Sequence, residues 1–246
     1  MNPIPRVSTR RYYDLSTGRA LKNNRYHLYP KKEFEKIACS KEIAIMVHGL
    51  RNDNAGAAAK AVIARNRLRK LRYRHPVVGF SYDSNTTGAH LVKHARHALL
   101  VGQKIAKRNG RHLGLFIKDF KESSPDTKIR LLGHSLGSQV IYSALEYLLK
   151  YEGIIESVHL FGASIPDNSA SGRRGSIMQR VVRKKITNYY APADDVLLQA
   201  DNEGLVSGPL GLYGASGRII PKYLQKKVRP KNHRFASYAA VLGSFP

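Results

Sequence analysis

The chain has 246 residues, of which 42% are hydrophobic and 24% charged, a composition that is typical of globular proteins and excludes a disordered chain. Its single cysteine, Cys39, excludes an internal disulfide framework, and no apolar run is long enough to cross a bilayer. The formal net charge of +25 predicts an affinity for polyanions, unless it reflects a bias of the host's whole proteome.

The N-terminal region, residues 1–40, is polar, basic and rich in tyrosine and proline. Its opening, "MNPIPRVSTRRYYDLS", lacks the apolar core of a secretory signal, so we expect a cytoplasmic protein. The stretch "RYHLYP" fits an edge strand or hairpin. We interpret residues 1–40 as a basic extension that packs on a single domain formed by residues 41–246.

From residue 41 onward, short apolar segments alternate with helical patterns. Runs rich in β-branched residues predict strands at 42–49, 76–82, 128–134, 156–163, 186–192 and 223–229. Alanine-rich or amphipathic periodicity predicts helices at 54–71, at 88–110 with a continuation to 122, and at 136–153. Strands that alternate with helices imply right-handed crossovers and a doubly wound, mostly parallel α/β sheet. Ligands then bind at the carboxyl ends of the strands.

The segment "GHSLG" at 133–137 matches the pattern G-x-S-x-G of a nucleophile elbow. An apolar strand pattern precedes it and an amphipathic helix pattern follows it, as this sharp turn requires. Both glycines are needed because a Cβ at either position would collide with the neighbouring backbone. Ser135 is therefore a candidate nucleophile. The alternative is a serine that caps a helix beside two packing glycines.

A serine hydroxyl is a weak nucleophile and needs a base and an orienting acid, which follow the serine in the chain order acid and then histidine. Two histidines lie downstream. His159 falls inside the apolar strand "SVHLFG" and is predicted to be a core residue, whereas His233 follows the last strand and is the predicted base. Adjacent carboxylates, Asp194 and Asp195, end the fifth strand, so that one can face the histidine while the other caps a helix. The remaining candidate acids are Asp167 and Glu203.

A tetrahedral oxyanion needs main-chain N–H donors. The sequence offers Leu136, at the start of the helix after the serine, and Leu50, in the loop that follows the first buried strand. Gly49 lets this loop approach closely, and His48 is predicted to brace it by hydrogen bonds. No metal or organic cofactor is implied.

Several of these segments together resemble the α/β-hydrolase superfamily over residues 41–241, and they are most similar to a group of archaeal α/β hydrolases. The segments are "VHGL", "PVVGFSYDS", "RLLGHSLGSQVI", "NYYAPADDVL" and the closing "NH…SY". The resemblance implies an α/β-hydrolase fold in which Ser135 is the nucleophile, His233 the base and Leu50 part of the oxyanion loop. It also implies that Asp194 is the acid, because the family's strand-end pattern Y-S-x-x-D-x-V-L places its aspartate there.

The chain departs from these relatives in two respects. It is strongly basic where the salt-adapted archaeal relatives are acidic, and its segment 164–185 is short and basic. That segment leaves room for a small cap or none, which disfavours a lipase with a hydrophobic lid.

Two functions follow from the sequence. The first is a serine hydrolase that acts on a small ester or related acyl substrate through a Ser-His-Asp triad. The alternative is a basic hydrolase-fold protein that associates with nucleic acid, ribosome or another polyanion, with catalysis secondary or lost.

Overall fold

The structure, a computed structural model, describes residues 4–246. This part of the chain forms one eight-stranded sheet with the order β2-β1-β4-β3-β5-β6-β7-β8. The strands are β1 (Arg6–Ser8), β2 (His27–Tyr29), β3 (Glu42–Val47), β4 (Val77–Ser81), β5 (Lys128–His134), β6 (Ile155–Phe161), β7 (Val182–Tyr190) and β8 (Tyr223–Lys227). All neighbouring strands are parallel except β1 and β2. The predicted mostly parallel α/β sheet is confirmed.

Helices cover both faces of this sheet. They are α1 (Lys31–Ile37), α2 (Asn54–Lys70), α3 (Ala95–Ser123), α4 (Gly137–Tyr147), α5 (Gly172–Val181), α6 (Asp195–Asn202), α7 (Leu210–Tyr213) and α8 (Phe235–Val241), with 3₁₀ turns at Val92–His94 and Asp167–Ala170. One apolar cluster joins α1, α3, α4 and α5 to one face, and a second joins α2 and α8 to the other. The doubly wound arrangement is therefore confirmed as well.

Burial on both faces explains why the central strands are almost continuously apolar. In β3, Ile43, Ile45 and Val47 enter the first cluster, whereas Ala44 and Met46 enter the second. A strand that is covered on both sides has no solvent-facing positions for polar residues.

Two predicted helices differ from the observed ones at their ends. The pattern that begins at residue 88 becomes helical only at Ala95, because the chain first turns at Gly88, which has a φ of +78°. The helix predicted to end at residue 153 stops at Tyr147. The chain then reverses at Gly153, where φ is +63° and the N–H donates to the Arg180 carbonyl over 3.0 Å.

The N-terminal region contributes to the sheet itself. The strand predicted near "RYHLYP" is present as the edge strand β2, and β1 lies between β2 and β4. Sequence inspection did not identify β1, since three residues are too few to show a period. The Asp83 carboxylate fastens the chain after β1 by accepting hydrogen bonds from the N–H groups of Arg11, Tyr12 and Tyr13.

The connection between β6 and β7 contains a 3₁₀ turn and α5. Because Ile177, Met178 and Val181 of α5 are buried in the core, this segment packs on the sheet as one of its covering helices. Within residues 4–246 it is thus no separate cap, in agreement with the small or absent cap predicted from the sequence. None of the helices in this range combines the length and apolar character that a bilayer crossing would need.

Candidate active site

Ser135 lies on a sharp turn between β5 and α4. Its φ is +52°, a left-handed value that is uncommon for a residue with a side chain, and its N–H donates to the Phe161 carbonyl over 3.0 Å. A Cβ on Gly137 would overlap the Val47 carbonyl oxygen and lie 2.8 Å from that of His48. The glycine therefore lets the turn press against the end of β3, and the turn holds the serine side chain out at the carboxyl ends of the strands.

The structure brings Ser135, His233 and Asp194 together. His233 Nε2 lies 2.8 Å from Ser135 Oγ, and its Nδ1 lies 2.7 Å from Asp194 Oδ2. A carboxylate can only accept, so Nδ1 carries the proton and Nε2 accepts from the serine hydroxyl. Each residue follows a different strand, namely β5, β7 and β8, which places all three at one edge of the sheet. Their catalytic roles remain a prediction.

The Asp194 carboxylate is buried and accepts further hydrogen bonds. Tyr238 donates its hydroxyl to Oδ2 over 2.6 Å, and the Leu197 N–H donates to Oδ1 over 3.2 Å. Burial alone would raise the pKa of Asp194, but the hydrogen bonds from His233, Tyr238 and Leu197 outweigh it, and the pKa lies below its ordinary value. Burial and the nearby Asp194 carboxylate raise the pKa of Tyr238. Asp194 is thus held as an anion beside the imidazole.

The other candidate acids are not at this position. Asp195 is exposed and accepts a hydrogen bond from the Val196 N–H over 2.9 Å. Asp194 both contacts His233 and caps α6, so the two tasks that we divided between neighbouring carboxylates fall to one residue. Asp167 lies against Gly208, and Glu203 accepts from Gln199 over 2.8 Å.

His159, the other downstream histidine, is buried, as predicted. Its Nε2 lies 3.1 Å from Ser157 Oγ and its ring stacks with that of Tyr189. It belongs to the core on the face covered by α8, where its ring also packs against Phe245.

The loop that follows β3 lies directly against the serine. A Cβ on Gly49 would be 2.9 Å from Ser135 Cβ and 3.3 Å from its Oγ, so only a glycine fits there without displacing a neighbour. The side chains of Leu50 and Leu136 both lie against Gly102 of α3. In the described part of the chain, the N–H groups of Leu50 and Leu136 donate to no other protein group. Two N–H groups near the serine are therefore free to bind an external acceptor.

Two further residues at the site had not been assigned a role. The buried His134 donates from Nε2 to the His233 carbonyl over 2.7 Å, and burial followed by the nearby His233 lowers its pKa to about 3. His134, the first x of G-x-S-x-G, thus fixes the main chain of His233, the predicted base. Ser164 Oγ lies 3.3 Å from Ser135 Oγ. No sequence pattern pointed to a role for His134 or Ser164, whereas Tyr238 ends the segment "NH…SY".

No three His, Cys, Asp or Glu side chains within residues 4–246 come together as a metal ligand set would. His90 lies 2.8 Å from Asn85 Oδ1, and His97 of α3 lies 2.9 Å from the Ser16 carbonyl oxygen, so each of these rings has a separate partner.

A family profile described as "Protein of unknown function (DUF726)" matches residues 96–200. No curated protein matches the chain. Similar solved structures include a cutinase from Trichoderma reesei in complex with a C11Y4 phosphonate inhibitor, with 15% identity, coverage of 85% of this chain and 78% of that chain, and a TM-score of 0.41.

A second similar structure is an α/β serine hydrolase without lid from Xanthomonas campestris, with 14% identity, coverage of 81% and 76%, and a TM-score of 0.44. A third is a lipase-esterase related protein from Clostridium acetobutylicum, with 10% identity, coverage of 82% and 90%, and a TM-score of 0.40. These neighbours are described as hydrolases or as related to them. Because the identities are low and the TM-scores lie below 0.5, the chemistry of this chain is inferred from its own residues.

Proposed function

We propose that the protein is a serine hydrolase that cleaves a small ester or related acyl substrate. The observation that carries the proposal is the continuous hydrogen-bond path from Ser135 Oγ through the His233 ring to the buried Asp194 carboxylate. A serine, an imidazole and a buried carboxylate in this order generate a nucleophile on unrelated folds.

The proposed reaction has two stages. Ser135 Oγ attacks the substrate carbonyl carbon while its proton moves to His233 Nε2, and the N–H groups of Leu50 and Leu136 bind the oxygen that becomes negative. The carbon–oxygen bond to the alcohol then breaks, and the alcohol leaves with the proton from His233. Water gives a proton to His233 as it attacks the acyl-serine, which releases the acid and restores the Ser135 hydroxyl. Asp194 keeps the ring oriented and stabilises its cationic form throughout.

An activity-based probe tests the assignment. We expect a fluorophosphonate to label the wild-type protein on Ser135, and Ser135→Ala to abolish the labelling. Ser164→Ala is the matched control, because this neighbouring hydroxyl lies 3.3 Å from Ser135 Oγ, whereas the His233 ring nitrogens hydrogen-bond to Ser135 and Asp194. Undiminished labelling of Ser135→Ala, or none of folded wild type, would contradict the proposal.

We propose binding of a polyanion as a second function, supported by one surface feature. A depression of about 390 Å³ is lined by Lys22 and by Lys107, Arg108 and Arg111 of α3, with Glu146 as the carboxylate on its wall. It lies toward the C-terminal end of α4, whereas Ser135 precedes the N-terminal end of that helix. This excess of positive charge suits a phosphate backbone.

Gel shifts with a short DNA duplex over a salt series test this second function. We expect the logarithm of affinity to fall linearly with the logarithm of salt, and the double variant Lys107→Ala, Arg111→Ala to reduce the slope by about 2. The control is Lys31→Ala, Lys32→Ala on α1. Three results would exclude this depression as the site: an affinity independent of salt, the same slope in the double variant as in the wild type, or no binding at low salt.

A further inference from the structure

The direction of the Leu50 N–H is set by the carbonyl that shares its peptide group. This carbonyl belongs to Gly49, and it accepts from His48 Nδ1 over 2.9 Å and from Asn52 Nδ2 over 3.0 Å. In a planar trans peptide the C=O and N–H bonds point in opposite directions. Two donors that fix the Gly49 oxygen therefore fix the opposite direction, along which the Leu50 N–H points.

The His48 bond requires one tautomer of the ring, in which Nδ1 carries the proton. His48 Nε2 lies 3.3 Å from Arg10 Nη2 and 3.3 Å from the Tyr82 main-chain N. A guanidinium and an amide N–H can only donate, so Nε2 must be the unprotonated nitrogen. The ring also stacks on Tyr82 with its centroid 4.6 Å away. Burial, followed by the charge of Arg10, lowers the pKa of His48 to about 3, so the ring stays neutral.

Arg10 binds the same loop at two further points. Its Nη1 donates to the Asn52 carbonyl over 2.9 Å and its Nη2 to the Asp53 carbonyl over 2.8 Å, while Nε donates to Ser81 Oγ over 2.8 Å. One planar guanidinium thus joins the end of β4 to the loop after β3. The Asp83 carboxylate, which accepts three N–H groups immediately after Arg10, fixes the backbone that carries it.

We propose that Arg10 is a positioning residue for the oxyanion site, which acts through His48 and the loop carbonyls to aim the Leu50 N–H. The inference rests on the proposed function, since the direction of this N–H matters for catalysis only if Ser135 attacks a carbonyl. It also makes the N-terminal region part of the proposed active site, because the guanidinium that binds the loop after β3 belongs to residue 10.

Steady-state kinetics with a p-nitrophenyl ester test the catalytic consequence. We expect Arg10→Ala to lower kcat by about 10- to 100-fold and to leave KM within about twofold, because an oxyanion donor stabilises the transition state more than the bound substrate. Arg10→Lys is expected to lower kcat nearly as much, since an ammonium cannot bind four acceptors as the planar guanidinium does. Added guanidinium ion should partly restore kcat in Arg10→Ala and have no effect on Ser135→Ala. Arg19→Ala, an exposed arginine of the same region, should behave as wild type.

A spectroscopic measurement tests the contact between Arg10 and His48 independently of enzymatic activity. Long-range ¹H–¹⁵N NMR should show His48 protonated on Nδ1 in both the wild type and Arg10→Ala, because the Tyr82 N–H and the Gly49 carbonyl still require this tautomer. The Nε2 resonance should shift in Arg10→Ala, which lacks the guanidinium donor. Thermal melting of both Arg10 variants shows whether either loses the fold. If Arg10→Ala does not fold, the folded Arg10→Lys variant is compared with the wild type instead. If the wild type hydrolyses nothing, the proposed function fails, and the NMR result still decides whether Arg10 donates to His48. Unchanged kcat, a change confined to KM, or an unchanged His48 Nε2 resonance would overturn the inference.

Discussion

At the scale of single residues, the Asp194 carboxylate accepts hydrogen bonds from three different residues. Its Oδ2 accepts from both His233 and Tyr238, while Oδ1 caps α6 through the Leu197 N–H. A carboxylate with all these donors cannot rotate without breaking one of them. This explains why it keeps a lowered pKa in spite of its burial.

Replacing Tyr238 with phenylalanine tests that description. Because the hydroxyl donates to a buried anion, we expect Tyr238→Phe to lower the free energy of unfolding at pH 7 by about 1.5–3 kcal/mol. Urea unfolding of the wild type and of the variant at pH 7 measures this difference. An unchanged free energy of unfolding would show that the hydroxyl does not stabilise the Asp194 anion.

The sequence could identify Ser135, His233 and the Asp194–Asp195 pair as candidates because each stands at the end of a predicted strand. It could not choose between the two aspartates from spacing alone, since the choice depends on where α6 begins. The contact between His134 and the His233 carbonyl joins residues 99 positions apart and leaves no local pattern. The same holds for Arg10, whose partners lie at the end of β4 and in the loop after β3.

At the scale of elements, the turn between β5 and α4 is supported by the loop after β3. A Cβ on Gly137 would collide with the carbonyl oxygens of Val47 and His48, and one on Gly49 would collide with Ser135. Each glycine removes the side chain that would otherwise separate the two segments. The nucleophile turn and the loop that carries the Leu50 N–H therefore form a single packed unit.

A methyl group on Gly137 should separate these two segments. We expect Gly137→Ala to lower the free energy of unfolding by about 1–3 kcal/mol through overpacking and to slow fluorophosphonate labelling of Ser135. Gly243→Ala serves as the control, because a Cβ there meets nothing within 4 Å. A stable Gly137→Ala protein that labels at the wild-type rate would show that the backbone relaxes at no cost.

Apolar runs located the five strands β3 to β7 because burial on both sheet faces leaves a strong composition signal. The elements that were missed carry weaker signals. β1 has three residues, and α1 and α5 are short and rich in lysine or arginine, with only a narrow buried face. The end of the helix predicted at 136–153 was placed too late, since the chain stops being helical before the glycine at which it reverses.

At the scale of the whole molecule, buried neutral histidines make stability depend on pH. Burial is the main cause that lowers the pKa of His48, His134 and His159 to about 3, and it lowers the pKa of His112 as well. Between about pH 6.5 and 3 the unfolded chain binds more protons than the folded one, so stability falls with falling pH. The slope from the first three should approach about 4 kcal/mol per pH unit.

Urea unfolding at intervals from pH 7.5 to pH 4.5 measures this slope. We expect His159→Gln, which removes one of the three strongly shifted groups away from the serine, to reduce the slope by about one third. A stability that does not change with pH over this interval would mean that these rings accept protons without unfolding.

The large positive net charge also affects the exposed edge strand β8. Among the described residues this strand pairs only with β7, and it leaves Lys226 and Lys227 exposed. An unpaired edge is a template on which another chain can add a strand, and lysines there, together with a net charge of +25, keep copies of the protein apart. A polyanion that cancels this repulsion would also remove the protection. Turbidity should therefore be greatest where added nucleic acid balances the protein's charge, and it should clear again when either partner is in excess.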